Sequence, residues 1–541
     1  MGSVSFSPKR VLRWFGFKQT LRGAIIIGVI SGFMLTAQGL AYEKSYPDAV
    51  SQAKFASSLE SVPALGFMYG EAKNLSAGTD GYMVYRVGSI MALITSVWGI
   101  MAITRLLRGN EEDGRWEPIR MGAVTTRAAT GQVIAGFIFS WLVGYLVSTL
   151  ITGGVVALSD LSMSFSKTLF VNAVIFLPGL LFAMVGAFTS QLALTRQRAI
   201  LFGVIPLFGF FLLRGAANIN TDLHWLMALT PFGWANLVNP ILDLQPWWLL
   251  LFALFGAIFV SLGLWFAERD LGSSIIAQSD TVRSRYFLLG GSWQLGLRQN
   301  MWVFAAWAFG SFAIMAMITG LSSIAVKATA DSKNLSNSIG ALAGNSNDLR
   351  VAFVGVGLVF LVMILMIMAT TIIGGIRNDE SRQFLDTILV QPVRRTSWLI
   401  SRLLLGFSTV LCISIIAGSL VYVIALGQQT HLNFGTVMAT SICLTGTIAF
   451  LLGLGVLIYG MRPRISGVVM YLALGWSFTI TLLSSAITLN HRLLQSSLFH
   501  YASFNLTSQP DWRTFGSMLA LGLIMAALGV TAFAKRDTVI A

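Results

Sequence analysis

The chain has 541 residues, 55% of them hydrophobic and only 11% charged, with a mean hydropathy of +0.75. A soluble protein carries about a quarter charged residues, so this composition excludes a soluble enzyme, a secreted disulfide scaffold and a receptor with a single span. The formal excess of +14 marks the cytoplasmic loops of a polytopic membrane protein rather than contact with nucleic acid.

In chain order, residues 1–22 predict an amphipathic helix on the inner leaflet, with Trp14, Phe15 and Phe17 set among basic residues. Apolar runs follow at 23–41, 84–104, 133–157, 169–192, 199–213 and 248–267. After a linker at 268–300, which carries a second amphipathic stretch, come 301–325, 351–376, 403–426, 437–460, 467–489 and 514–534. Most are near the roughly 20 residues that cross a bilayer as helix, and backbone in lipid must satisfy itself internally. The expectation is an all-α protein with twelve transmembrane helices. With the N-terminus inside, about 25 Lys and Arg fall inside and about 11 outside, while acids split about evenly. Both termini are therefore predicted to be cytoplasmic. Cys412 and Cys443 lie within apolar runs and read as inert thiols.

Four loop motifs recur in order. Phe15-Gly16-Phe17-Lys18-Gln19-Thr20 matches Leu295-Gly296-Leu297-Arg298-Gln299-Asn300, and Arg108-Gly109-Asn110-Glu111 matches Arg377-Asn378-Asp379-Glu380. Arg196-Gln197-Arg198 matches Arg462-Pro463-Arg464, and Phe266-Ala267-Glu268-Arg269-Asp270 matches Phe533-Ala534-Lys535-Arg536-Asp537. The chain reads as two parallel six-helix repeats, 23–267 and 301–541, related by an axis along the membrane normal.

The apolar runs hold no Asp, Glu, Lys or Arg away from their ends, which opposes a proton relay or a charged filter. Energy is expected to enter at the segment after each second span. Aligned without a gap, Glu111 sits over Glu380 and Glu117 over Asp386. From Phe384 to Val390, Leu385, Ile388 and Leu389 share one helical face, with Arg382 and Asp386 turned away, a short amphipathic helix suited to a partner's groove. On this reading, reversing Glu111 with Glu117, or Glu380 with Asp386, is expected to uncouple transport and leave the chain folded, the four acids contributing little to stability; the competing reading is a solvated loop.

Acidic–x–x–Gly–x–x–acidic after the second span (Glu111, Gly114, Arg115, Glu117), then a short helix ending in Pro392-Val393 and basic residues, resembles the permeases of type-2 ATP-binding-cassette exporters. Leu229-Thr230-Pro231-Phe232-Gly233-Trp234-Ala235, Pro246-Trp247-Trp248 and the fused duplication resemble the actinobacterial exporters of polyketide antibiotics and other drugs. The resemblance implies that Glu111, Gly114, Arg115, Glu117, Glu380, Arg382, Asp386 and Pro392 couple to an ATPase. The sequence departs from that pattern at Pro118, Ala123 and Gln383, the last standing where a glycine is usual, and the second outer motif is altered to Leu498-Phe499-His500-Tyr501. No phosphate-binding Gly-rich loop is present, so ATP and Mg are expected on a separate partner, two copies of which match two docking segments. The resemblance also places the second and fifth spans of each half beside the substrate path, and with them Trp98, Phe208, Phe211, Phe360, Trp476 and Phe478.

The implied function is an export permease for hydrophobic or amphipathic compounds, itself no enzyme. A proton-driven efflux pump is the main alternative, with a polytopic lipid-linked glycosyltransferase behind it. The outer segment 214–248 reads either as a surface helix pair capping the exit or as a plain aromatic belt, and Met363, Met366 and Met368 either as pocket lining or as helix packing.

Overall fold

The computed structural model describes residues 7–536 apart from 61–65, 67–68, 71, 121–123, 160, 162, 220, 271, 277–289, 330–348, 382, 392, 429–431, 487–489 and 507. The chain divides into two units, Met1–Val282 and Arg283–Ala541.

Unit one holds six long helices: α1 (Pro8–Ser45), α2 (Asn74–Glu112), α3 (Thr126–Leu158), α4 (Phe165–Leu192), α5 (Arg196–Ile219) and α6 (Leu249–Trp265). Unit two holds α7 (Ser292–Thr329), α8 (Leu349–Ser381), α9 (Arg395–Gly427), α10 (Phe434–Met461), α11 (Ser466–Ala486) and α12 (Trp512–Lys535). Counterparts agree in length: 38 residues for α1 and α7, 33 for α3 and α9, 28 for α4 and α10. Each predicted run falls largely on one of these helices, the last three residues of the run 467–489 lying outside the described residues. Eleven segments among the described residues are long and apolar enough to cross a membrane, while the described apolar stretch of α11, Ser466–Thr481, is shorter.

The predicted amphipathic helix at 1–22 is not a separate element. Pro8 occupies the start of α1, where a missing N–H costs nothing, and no break follows before Ser45. At about 1.5 Å per residue α1 is about 57 Å long, well beyond the ~30 Å apolar slab. The stretch 292–300 likewise opens α7.

Close approach of backbones holds unit one together. Gly16, Thr20, Ala24, Gly28, Gly32 and Thr36 recur every fourth residue on α1, and all are buried. They face Gly136, Ser140, Gly144 and Ser148 of α3, and a Cβ on Gly28 or Gly144 would collide with the opposing backbone. The Thr20 and Ser140 hydroxyls bond across the seam at 2.6 Å. Small residues at this spacing let membrane helices touch along their length. In unit two the tightest seam lies instead between α10 and α12, where Gly453 meets Gly522 and Gly460 meets Gly529. Outward faces are apolar, as lipid requires: Ile26, Phe33 and Leu150 are exposed, and only Phe252 and Gly263 of α6 are buried.

Candidate functional site

The segment after α2 is built by a helix that widens and then reverses. A wide π turn at Arg105–Gly109 turns Leu106, Leu107 and Arg108 inward. The turn after Glu112 closes through Gly114, whose φ is +71°, with Gly114 N–H bonded to Glu111 O at 3.0 Å and Arg115 N–H to Asn110 O at 2.9 Å. This is the double bond pattern of a helix stopped by a left-handed residue. The chain then enters the short helix Glu117–Arg120. In unit two the corresponding turn is made by Gln383 at φ +60°, with its N–H on Glu380 O at 3.0 Å. The glycine is gone, but its backbone conformation is kept, at the steric cost L-residues incur there.

Each of these turn-and-short-helix segments, the two cassettes of the chain, carries the same buried ion pair. The Arg269 guanidinium grips Glu111 with two bonds, Nη1 to Oε1 at 2.8 Å and Nη2 to Oε2 at 2.6 Å. Gly272 N–H adds a third bond at 2.9 Å and Arg108 a fourth at 3.0 Å. Arg108, 2% exposed, is itself fixed by the carbonyls of Leu194 and Ser273. In unit two Arg536 donates to Glu380 at 2.9 Å, and Tyr459 O–H adds a bond at 2.7 Å. Arg536 also lies over the Tyr459 and Phe533 rings. The end of the fourth helix supplies the remaining partner in each case: Gln191 accepts from Arg269 Nε at 3.1 Å in unit one, and Tyr459 serves in unit two. Each carboxylate therefore ties the end of a second helix to the residues just past a sixth. The sequence singled out all four residues as repeat marks without pairing them. A duplicated acid together with a duplicated arginine, each at a span end, was the available signal.

Burial separates the expected coupling residues into two groups. Glu111 and Glu380 have left solvent, so reversing them strands a buried arginine; the expectation that they contribute little to folding is corrected by this pairing. Glu117 and Asp386 are exposed, as is Arg115, which reaches Asn110 Oδ1 at 3.3 Å. Arg382 and Pro392 lie outside the described residues. The apolar face expected to enter a partner's groove is turned into the chain's own core: Leu385 is fully buried, and Ile388 and Leu389 pack beside it. Trp116 and Ile119 fill the same positions in unit one. What remains outward is Phe384, Asp386 and Val390 in unit two, with Glu117 and Pro118 in unit one.

The six aromatic residues expected along the substrate path are not alike. Trp98 is half-buried, stacked on Trp141 at 5.1 Å and pressed against Gly23. Phe211 is buried edge-on to Phe232 at 5.4 Å, and Phe478 packs on Phe499 at 6.3 Å. Phe208, Phe360 and Trp476 keep exposed faces, the Trp476 indole N–H bonding Ser496 Oγ at 2.9 Å. Within either unit no ring contact among the described residues joins two of the six.

The outer segment forms a 3-10 stretch, Thr221–Leu229, and the short helix Pro231–Val238. Thr230 caps that helix through Gly233 N–H at 3.0 Å, and Asn239 ends it in the left-handed region. Phe232 and Trp234 are buried, whereas Trp225 is exposed. Beneath this cap lies Arg214, fully buried, bonded to Ser89 Oγ and resting 4.8 Å from the Phe211 ring centre.

Two stretches of the chain, residues 19–266 and 289–534, match the family described as multidrug efflux system permease Rv1217c, C-terminal domain. The chain is also 25% identical, over 511 residues, to the multidrug efflux system permease protein Rv1217c of Mycobacterium tuberculosis (strain ATCC 25618 / H37Rv), covering 92% of this chain and 88% of that one.

Proposed function

The chain belongs to the family of the multidrug efflux system permease Rv1217c, as a multi-pass protein of the bacterial plasma membrane, and from that premise we propose that it is the export subunit of a type-2 ATP-binding-cassette system for hydrophobic or amphipathic compounds. A separate ATPase docks on the two cassettes, one copy on each. Glu117 and Asp386 are the exposed acids that meet it; Glu111 and Glu380 are positioning residues that pass movement of the cassette to the sixth helix of the same unit. Phe208, Phe360 and Trp476, with free ring faces, contact substrate through apolar burial.

The observation that carries this reading is the repetition, in two divergent halves, of one exposed acid set on a short helix whose root is fastened by a buried carboxylate–arginine pair. A loop that merely lies on lipid has no use for that fastening twice. The test is purification of the chain from its own cells, with assay of co-purifying ATPase and of efflux of a hydrophobic dye such as Nile red. Two ATPase copies per chain are expected, with both ATPase recovery and efflux lost in the double variant Glu117→Lys, Asp386→Lys at unchanged chain yield. Efflux that survives ATP depletion and collapses with a protonophore overturns the assignment in favour of a proton-driven pump.

A further inference from the structure

At the end of α2 remote from Glu111, unit one encloses a cavity of about 40 Å³ between the first outer loop, the wide turn Val84–Gly88 and the short helix Pro231–Val238. Most of the wall is apolar, with Val174 and Phe232 among its members. Three lining residues, however, carry buried polar atoms with no hydrogen-bond partner among the described residues: Asn74 Oδ1, Tyr85 Oη and Asn236 Nδ2. Tyr85 is only 3% exposed. A buried polar atom left without a partner is costly and calls for an occupant. Here an acceptor, a donor and an ambivalent hydroxyl surround one space.

The chemistry around the cavity narrows the occupant. Among the described residues, none that lines it carries a formal charge. Ser89, also in the wall, is already engaged, donating to Tyr69 O at 2.9 Å and accepting from the buried Arg214 guanidinium. A quaternary ammonium offers neither a donor nor an acceptor to these three atoms and would leave all of them unpartnered. The volume holds about three waters, so it admits a head group and not a whole drug.

We propose that this cavity is a binding subsite for the uncharged hydroxyl head of an amphipathic molecule, which donates its proton to Asn74 Oδ1 and accepts from Asn236 Nδ2 and from the Tyr85 O–H, while its tail stays outside. The proposal rests on the reading of the chain as an exporter of amphipathic compounds and adds a preference within that class, for neutral alcohols over quaternary ammonium amphiphiles.

The test is photolabelling of the full chain in phosphatidylcholine nanodiscs, a lipid without a headgroup hydroxyl, using a diazirine-bearing octanol. Labelled peptides should contain Val84–Ala92 and Phe232–Asn236. Excess decanol should displace the label, and decyltrimethylammonium at equal concentration should not. Tyr85→Phe removes one unpartnered oxygen from an otherwise unchanged ring and should weaken labelling three- to ten-fold; Asn236→Ala provides a second variant should the first elute as aggregate. The proposal is overturned if these peptides stay unlabelled, which would leave water as the occupant. Equal displacement by the ammonium compound, or labelling indifferent to both variants, overturns it as well. The assay uses neither ATP nor ATPase, so it stands apart from the export reading: in the Glu117→Lys, Asp386→Lys chain, loss of efflux should leave the labelling unchanged.

Discussion

Glu111 and Glu380 each place a carboxylate where water has been replaced by arginine, and at such sites removing one partner costs more than the pair contributes. Glu111→Gln leaves Arg269 and Arg108 facing a neutral amide, so a loss of about 3–5 kcal/mol is expected, read as a lowered thermal midpoint in detergent. Exchanging the charges, Glu111→Arg with Arg269→Glu, should recover part of it; equal midpoints for the single variant and the parent chain would refute the pairing. The turn residues make a second comparison. Gly114 and Gln383 share a left-handed backbone, and a Cβ at Gly114 would meet nothing within 4 Å. Gln383→Gly should therefore stabilise unit two by about 1 kcal/mol and Gly114→Val destabilise unit one by about 1–2 kcal/mol, purely through backbone preference. The cassette was legible in sequence as far as its positions went, because acids and glycine recur in a fixed frame. Which acid is buried was not, since that depends on arginines more than 150 residues away, past the sixth helix.

The long helices were legible because hydropathy is read residue by residue, and lipid leaves helix as the form such runs take. Their ends were not. α2 reaches Asn74 and Glu112 where the apolar run suggested 84–104, since helix persists through polar turns once the surrounding helices satisfy them. Fusion of the amphipathic stretch into α1 was likewise hidden, although the small residues at every fourth position were a signal in plain view. Those residues give the prediction at this scale. Gly28→Leu or Gly144→Leu in unit one, and Gly453→Leu in unit two, should sharply reduce the folded chain recovered by size exclusion, because backbones cannot separate without losing the whole seam. Gly209→Leu and Gly256→Leu, with open space around both, are the controls and should leave recovery unchanged. If controls and seam variants behave alike, close approach is not what holds these helices.

The duplicated units have drifted apart in ways that bear on how they share the work. Among the described residues, Arg269, Arg108 and the Gly272 N–H fasten the cassette of unit one, and Arg536 and Tyr459 that of unit two. Unit one binds α1 to α3 through small residues, whereas unit two binds α10 to α12. Single reversals at Glu117 and at Asp386 should therefore lower efflux by different factors, and only the double variant should abolish it; equal single effects would argue that the divergence is neutral. The separation of each carboxylate from its arginine also has a meaning during synthesis. Glu111 leaves the ribosome 158 residues before Arg269, about 8–30 s at ordinary elongation rates, and for that interval the insertion machinery holds a helix end that has Arg108 beside its carboxylate but lacks the two-bond grip of Arg269. Each unit is sealed by one of its last residues, so the first can be finished and proofread in the membrane before the last helices of the second have been translated.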